Sequence, residues 1–274
     1  MHNALFKALD INAAYLPFAP EPENFADAVR GFKAMKFRGA NVTIPYKTQF
    51  MDQATGAPLL VDELSPISAF TGSVNTLYWK DGIVGGTLCG TTTDPYGCIR
   101  NLEEHGVSAS HTTVALLGNG GAAKAIAYTL VEQGNELTIV CRSREKGEAL
   151  AAGLNQASKE FKTVQVATFE EFKQISANFK IIINATSVGM TPNVDESAIG
   201  EDCLHAGQVV CDIVYTPPKT KLLQMAEAKG CKIVSGEGML VHQGLESFKK
   251  WFPAETAGRS NEELTAIMRK GMQG

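Results

Sequence analysis

Apolar and polar positions along this chain alternate between a period of two and a period near 3.6 from end to end. Short apolar runs predict strands over 39–43, 74–79, 83–88, 136–140, 163–166, 180–184, 208–212 and 232–234. The strand over 39–43 runs into a loop at Pro45. Lys80-Asp81-Gly82 between two apolar runs reads as a hairpin turn. Between the strands the spacing predicts helices. One covers 24–36, with Phe25, Val29 and Phe32 on one face and Asn24 as N-cap. Others cover 62–70, 94–105, 122–130, 219–229, 237–251 and 262–272. Strand and helix signals that alternate throughout argue an α/β fold. No internal repeat and no low-complexity segment interrupts them.

The densest signal lies where the apolar run Val114-Ala-Leu-Leu117 ends in Gly118-Asn-Gly-Gly-Ala-Ala123 and a helix-forming stretch starts at once. The next strand, 136–140, ends in Cys141-Arg-Ser-Arg144. This is the pattern of the first βαβ unit of a Rossmann-type domain. Glycines permit the tight turn and let the backbone approach a pyrophosphate, and the helix N-terminus offers unpaired N–H groups. Gly118, Asn119, Gly120, Gly121 and Ala122 are therefore candidate cofactor residues. Ala123 takes the third glycine position, where alanine is permitted. At the end of the second strand an acid would hold a ribose 2′-hydroxyl. Arg142 and Arg144 stand there instead, with Ser143 between them and Lys146 beyond, which favours a 2′-phosphate and so NADP over NAD.

Composition narrows the classes. A length of 274 residues fits one large or two medium domains. The net charge of −4 gives no basic footprint for nucleic acid. No apolar run approaches a membrane span of about 18 residues. Met1-His-Asn-Ala-Leu-Phe lacks the features of a signal peptide. The six cysteines form no CxxC pair and read as reduced core thiols of a cytoplasmic protein. The histidines show no metal-ligand spacing, so no metal is expected. The order of elements predicts an N-terminal α/β catalytic domain over 1–98, a dinucleotide-binding domain over 99–240, and C-terminal helices over 241–274 that return to the first domain.

Five further motifs occur in order around the glycine loop: Asn41-Val-Thr-Ile-Pro-Tyr-Lys47, Gly72-Ser-Val-Asn-Thr76, Thr92-Thr-Asp-Pro-Tyr-Gly97, Asn184-Ala-Thr-Ser-Val-Gly-Met190 and Gly236-Glu-Gly-Met-Leu-Val-His-Gln243. With them the chain resembles the shikimate/quinate dehydrogenase family over nearly its whole length. The resemblance implies reduction of 3-dehydroshikimate to shikimate by NADPH, a step of aromatic amino acid biosynthesis. Lys47 matches the family's catalytic lysine and Asp94 its acidic partner. An ammonium beside the carbonyl can give the proton that the new alcohol needs. Asp94 also suits the N-cap of the following helix. Thr43, Asn75, Tyr215 and Gln243 match substrate-binding positions, neutral groups suited to a polyhydroxy acid. Thr186, Ser187 and Met190 match positions lining the cofactor, and Ile213, Gly236 and Met239 positions framing the nicotinamide. A small-molecule partner is implied, and a homodimer is left open.

The chain also departs from the family pattern. Members carry a strand and a Ser-x-Ser-Pro segment ahead of the residues matching His2-Asn3, and those serines bind the substrate carboxylate. Here the sequence starts at Met1, so a neighbouring strand is expected to be left unpaired. Two hydrogen bonds to a charged group, each about 1.5–3 kcal/mol, would be missing. Pro95 replaces a usual glycine, Cys141 an asparagine and Asn119 an alanine. The alternatives are a dehydrogenase of quinate or a related cyclic polyol acid, and an NADP-binding paralogue with weak catalysis and a regulatory role.

Overall fold

A computed structural model describes residues 1–52, 54–157 and 163–273. The chain divides into two compact units, Met1–Thr93 with Val241–Gly274, and Asp94–Leu240. The first unit contains α1 (His2–Ala8), α2 (Phe25–Ala34), β1 (Gly39–Asn41), β2 (Glu63–Leu64), α3 (Pro66–Thr71), β3 (Thr76–Trp79) and β4 (Leu88–Thr91). The second contains α4 (Asp94–Glu104), β5 (Thr113–Leu117), α5 (Gly121–Glu132), β6 (Glu136–Val140), α6 (Arg144–Ala157), β7 (Gln165–Ala167), α7 (Phe169–Ile175), β8 (Ile181–Asn184), β9 (Val209–Asp212), α8 (Lys221–Ala228) and β10 (Lys232–Val234). Helix α9 (Glu237–Trp251) carries the chain back to the first unit, which α10 (Pro253–Thr256) and α11 (Asn261–Gln273) complete.

In the first unit the sheet order is β1-β3-β4-β2, and β1 lies at one edge with β3 as its partner. Side chains alternate across the sheet. Leu77 and Trp79 join Phe25 and Val29 of α2 in one core cluster. Tyr78 packs instead on the cluster formed by α1, α9 and α11, with Leu5, Phe248, Trp251 and Met268. Trp251 donates its indole N–H to Leu77 O at 2.9 Å. Its ring crowds Gly39, where a Cβ would come within 2.0 Å of it.

Three expectations for the first unit differ from the structure. The stretch 62–70 is not one helix. Pro66 at the first helical turn holds Ser65 extended, so Glu63–Leu64 is free to pair in parallel with β4. The hairpin after β3 is wider than three residues. Asp81, Gly82 and Gly85 take positive φ, and the strands rejoin only at Trp79 opposite Leu88, which leaves 83–87 in the connection. Asn24 makes no side-chain cap; a 3₁₀ turn over Pro22–Asn24 leads into α2 instead.

The second unit is a parallel sheet in the order β10-β9-β8-β5-β6-β7. From β5 the chain goes first to one side and then to the other, so β5 and β8 flank the switch point where ligands bind beyond the carboxyl ends of the strands. β5, β8 and β9 are buried almost throughout, as a sheet covered on both faces requires. The domain boundary expected at 98 lies earlier. Residues 94–98 begin α4, a single helix that packs on α5 and buries Cys98, Ile99 and Leu102, so they belong to the second unit.

Candidate active site

Thr43 and Lys47 sit on the loop that follows β1. Both ends of this loop are pinned to the chain entering β3: Val42 N–H donates to Asn75 O at 2.7 Å, and Val74 N–H donates to Lys47 O at 2.8 Å. A turn closes between them, with Tyr46 N–H on Thr43 O at 2.9 Å. Tyr46 anchors it by stacking on Phe25, 4.3 Å between centroids, and by donating its hydroxyl to Pro20 O. Thr43 is exposed and Lys47 half-buried. The loop thus holds a lysine on a fixed backbone next to Asn75.

Asn75 is buried and belongs to a polar network of the first unit. Its Oδ1 accepts the Thr93 N–H at 2.9 Å and the Thr76 hydroxyl at 2.7 Å. Its Nδ2 donates to Thr93 Oγ1 at 3.1 Å and to Gln243 Oε1 at 3.4 Å. One turn along α9 from Gln243, buried Ser247 bonds Thr76 Oγ1 at 2.8 Å and accepts from Asn41 Nδ2 at 2.9 Å. Asn75 and Gln243, 168 residues apart, are therefore neighbours. The reading of the sequence missed Asn41, Thr76, Thr93 and Ser247. Their signal was polarity at positions where strand and helix periodicity demands burial.

His2 closes the far end of this network. It bonds Asn41, whose Oδ1 also accepts the Tyr15 hydroxyl at 3.0 Å. Burial, helped by the charge of the N-terminal ammonium, pushes its pKa down to about 4. Its buried Nδ1 has no hydrogen-bond partner among the described residues.

In the second unit the glycine loop joins β5 to α5. Gly118 takes a φ of +108°, its N–H donates to Val140 O, and a Cβ there would press on Thr186 and Ala185. Gly120 and Gly121 differ: a Cβ on either would meet no protein atom within 4 Å. Packing does not demand glycine at these two positions, and the space in front of them is open. Among the described residues no side chain caps α5, so its first N–H groups are left for that space. Asn119 and Ala122 flank it, half-buried. This cradle fits a pyrophosphate.

At the end of β6, Arg142 and Lys146 are exposed, and Ser143 Oγ accepts the Lys146 N–H at 3.4 Å. Arg144 is engaged elsewhere. Its guanidinium pairs with both carboxylate oxygens of Glu171 and lies 3.6 Å from Glu148. It belongs to this clasp rather than to the open face beside Arg142.

Asp212 and Asn184, at the ends of β9 and β8, brace the loops beyond them. Buried Asp212 accepts from Asn184 Nδ2 at 3.0 Å, Val214 N–H at 3.0 Å and Thr220 Oγ1 at 2.7 Å. Burial raises its pKa, and these three donors oppose the rise. Asn184 Oδ1 in turn accepts the Thr186 N–H and hydroxyl at 3.1 and 2.7 Å. Thr186 is thus held through Asn184 to Asp212, and Ser187 stands exposed beside it. Met190 and Tyr215 are exposed, which excludes a core role for Tyr215. Gly236 lies against β9's exit: a Cβ would come within 2.5 Å of Ile213 O. Ile213 and Gly236 are therefore brought together, with half-buried Met239 on the first turn of α9.

A parallel sheet with an open glycine cradle, cations beyond its second strand, and a separate unit bearing a lysine beside a carboxamide network define a dinucleotide-dependent oxidoreductase. The comparisons make the class specific. Residues 1–77 match the family model for the shikimate dehydrogenase substrate binding domain, and residues 101–215 that for shikimate / quinate 5-dehydrogenase. The shikimate dehydrogenase (NADP(+)) of Methanothermobacter thermautotrophicus is 38% identical over 92% of this chain and 84% of its own length. A crystal structure of a shikimate dehydrogenase in complex with NADP+ superposes with a TM-score of 0.83 at 34% identity, over 98% of this chain and 89% of that one. The Listeria monocytogenes shikimate 5-dehydrogenase, solved with shikimate and NAD, gives 0.83 at 32% identity with the same coverage. The chain belongs to the shikimate dehydrogenase family.

Proposed function

We propose that this chain interconverts 3-dehydroshikimate and shikimate with NADP(H). The observation that carries the reading is the carboxamide pair Asn75 and Gln243, bonded to each other and to Thr93 next to the loop that bears Lys47. Each carboxamide offers a donor and an acceptor in one plane, which suits vicinal hydroxyls. Thr43 adds a hydroxyl on the same loop, and Tyr215 matches a further substrate-binding position of the family. Bound NADPH supplies the hydride. Lys47 gives the proton to the C3 oxygen as the carbonyl becomes an alcohol, and takes it back in the reverse direction. By the family pattern Asp94 is the acidic partner of the lysine and the acceptor of a substrate hydroxyl. Gly120, Gly121 and the start of α5 hold the pyrophosphate, and Arg142 with Lys146 the 2′-phosphate. Thr186, Ser187, Met190, Ile213, Gly236 and Met239 line the nicotinamide half.

The test follows absorbance at the NADPH band with shikimate and quinate in turn, each with NADP and NAD. Turnover of shikimate with NADP is expected. Turnover of quinate alone would make the chain a polyol-acid dehydrogenase of another specificity. Tight NADP binding with neither substrate turned over would overturn the reading.

A further inference from the structure

Three cations follow β6, and their surroundings set one apart. Among the described residues no side chain pairs with Arg142 or Lys146. Arg144 donates to both oxygens of Glu171, lies near Glu148, and reaches Val166 O at 3.5 Å. Both contacts with Glu171 run from Nη2, while Nη1 faces Val166 O and Glu148, so the guanidinium is held from both sides at this charge-assisted pair. Its partner is itself fixed. Glu171 is the third residue of α7 and closes a capping box: its Oε2 accepts the Thr168 N–H at 2.7 Å and hydroxyl at 3.0 Å, while Thr168 Oγ1 accepts the Glu171 N–H. These bonds from Thr168, with the charge of Arg144 beside them, hold the Glu171 carboxyl below the usual range, so it stays an anion at neutral pH. A cation that swings toward a ligand must first leave this anchored carboxylate.

We propose that Glu171 is a specificity-determining residue: by holding Arg144 it withholds one positive charge from the ribose 2′-phosphate, and leaves the discrimination of NADP from NAD to Arg142 and Lys146. This rests on the reading above, that the residues after β6 face the adenosine ribose. The pair sets the strength of the preference rather than its direction. Neutralising Glu171 frees a third cation for the phosphate, and NAD, which has no phosphate there, gains nothing.

The experiment compares kcat/KM for NADP and for NAD, with saturating shikimate, in the wild type and in R142A, R144A, E171Q and the double variant R144A/E171Q. Glutamine preserves the capping box, so E171Q removes the charge without the cap; melting curves check that each variant is folded. R142A should lower the NADP/NAD ratio by about tenfold or more, and R144A by no more than about twofold. E171Q should raise the ratio several-fold, and the double variant should lose that gain. A fall in R144A as deep as in R142A overturns the proposal, as does an unchanged ratio in E171Q or a gain that survives in the double variant. A ratio unchanged in all four overturns instead the placing of the 2′-phosphate beside these residues.

Discussion

Thr93 holds both ends of the Asn75 carboxamide: its N–H donates to Oδ1 at 2.9 Å, and its Oγ1 accepts from Nδ2 at 3.1 Å. A backbone N–H can only donate, so it fixes which end of the amide is oxygen. The same Thr93 hydroxyl lies 3.4 Å from Gln243 Oε1. One buried threonine therefore sets the orientation of two candidate substrate ligands drawn from opposite ends of the chain.

Replacing Thr93 by valine keeps the shape and deletes the hydroxyl. Buried Asn75 and half-buried Gln243 each lose one partner. The expected cost is about 1–3 kcal/mol of stability, read from urea unfolding. KM for shikimate should rise together with it, and T93S should restore both. A valine variant with wild-type KM would show that the network does not orient the substrate ligands.

Lys47→Ala tests the chemistry. Loss of a general acid–base group lowers kcat by about 10²–10⁴-fold. NADPH affinity, followed by fluorescence titration, should stay as in the wild type, because the cradle lies in the other unit. A variant that keeps wild-type kcat on shikimate would remove Lys47 from the mechanism.

His2 makes stability depend on pH. Its pKa is lowered on folding, from 6.5 to about 4, so the unfolded chain binds the proton more tightly. Stability from this residue is full above 6.5 and is lost as the pH falls toward 4, by roughly 3 kcal/mol in all. Urea midpoints at pH 7, 5.5 and 4 should fall accordingly. The fall should be shallower in His2→Gln. Equal slopes in the two proteins would assign the acid sensitivity to other groups.

The second unit was legible in the sequence almost strand for strand, because buried parallel strands are unbroken apolar runs and its helices follow a glycine, serine or threonine. The expected strand over 232–234 and helix over 237–251 coincide with β10 and α9. The first unit was harder. Its strands are two to four residues long, and Glu63–Leu64 carries no periodicity of its own; it exists because β4 offers an edge. In the candidate site, the glycines marked the open turn before α5 by type and spacing, whereas of the two strand-end arginines Arg144 is engaged with Glu171. Ser247 and Thr93 could not be found that way, since their role comes from contacts across 150 residues and more. Nor could Glu171, which reads locally as a helix cap and acts on Arg144 only through the fold.

The glycines offer the sharpest separation of ligand binding from folding. Gly121 begins α5, is exposed, and has open space where a Cβ would stand. Gly121→Ala should leave stability unchanged or raise it by up to about 1 kcal/mol, since alanine is the better helix former. The added methyl would nonetheless stand between the backbone and a pyrophosphate, so NADPH affinity should fall by at least about tenfold, roughly 1.4 kcal/mol. Gly236→Ala should behave in the opposite sense. Its Cβ would come within 2.5 Å of Ile213 O and 2.7 Å of Val214 O, backbone atoms that cannot turn aside. That variant should lose about 1–3 kcal/mol, the usual cost of overpacking. Thermal unfolding and calorimetric titration with NADPH, run on both variants, read the two effects separately. If Gly121→Ala binds NADPH as tightly as the wild type, the pyrophosphate does not lie against this turn, and the cradle must be sought elsewhere at the ends of β5 and β8.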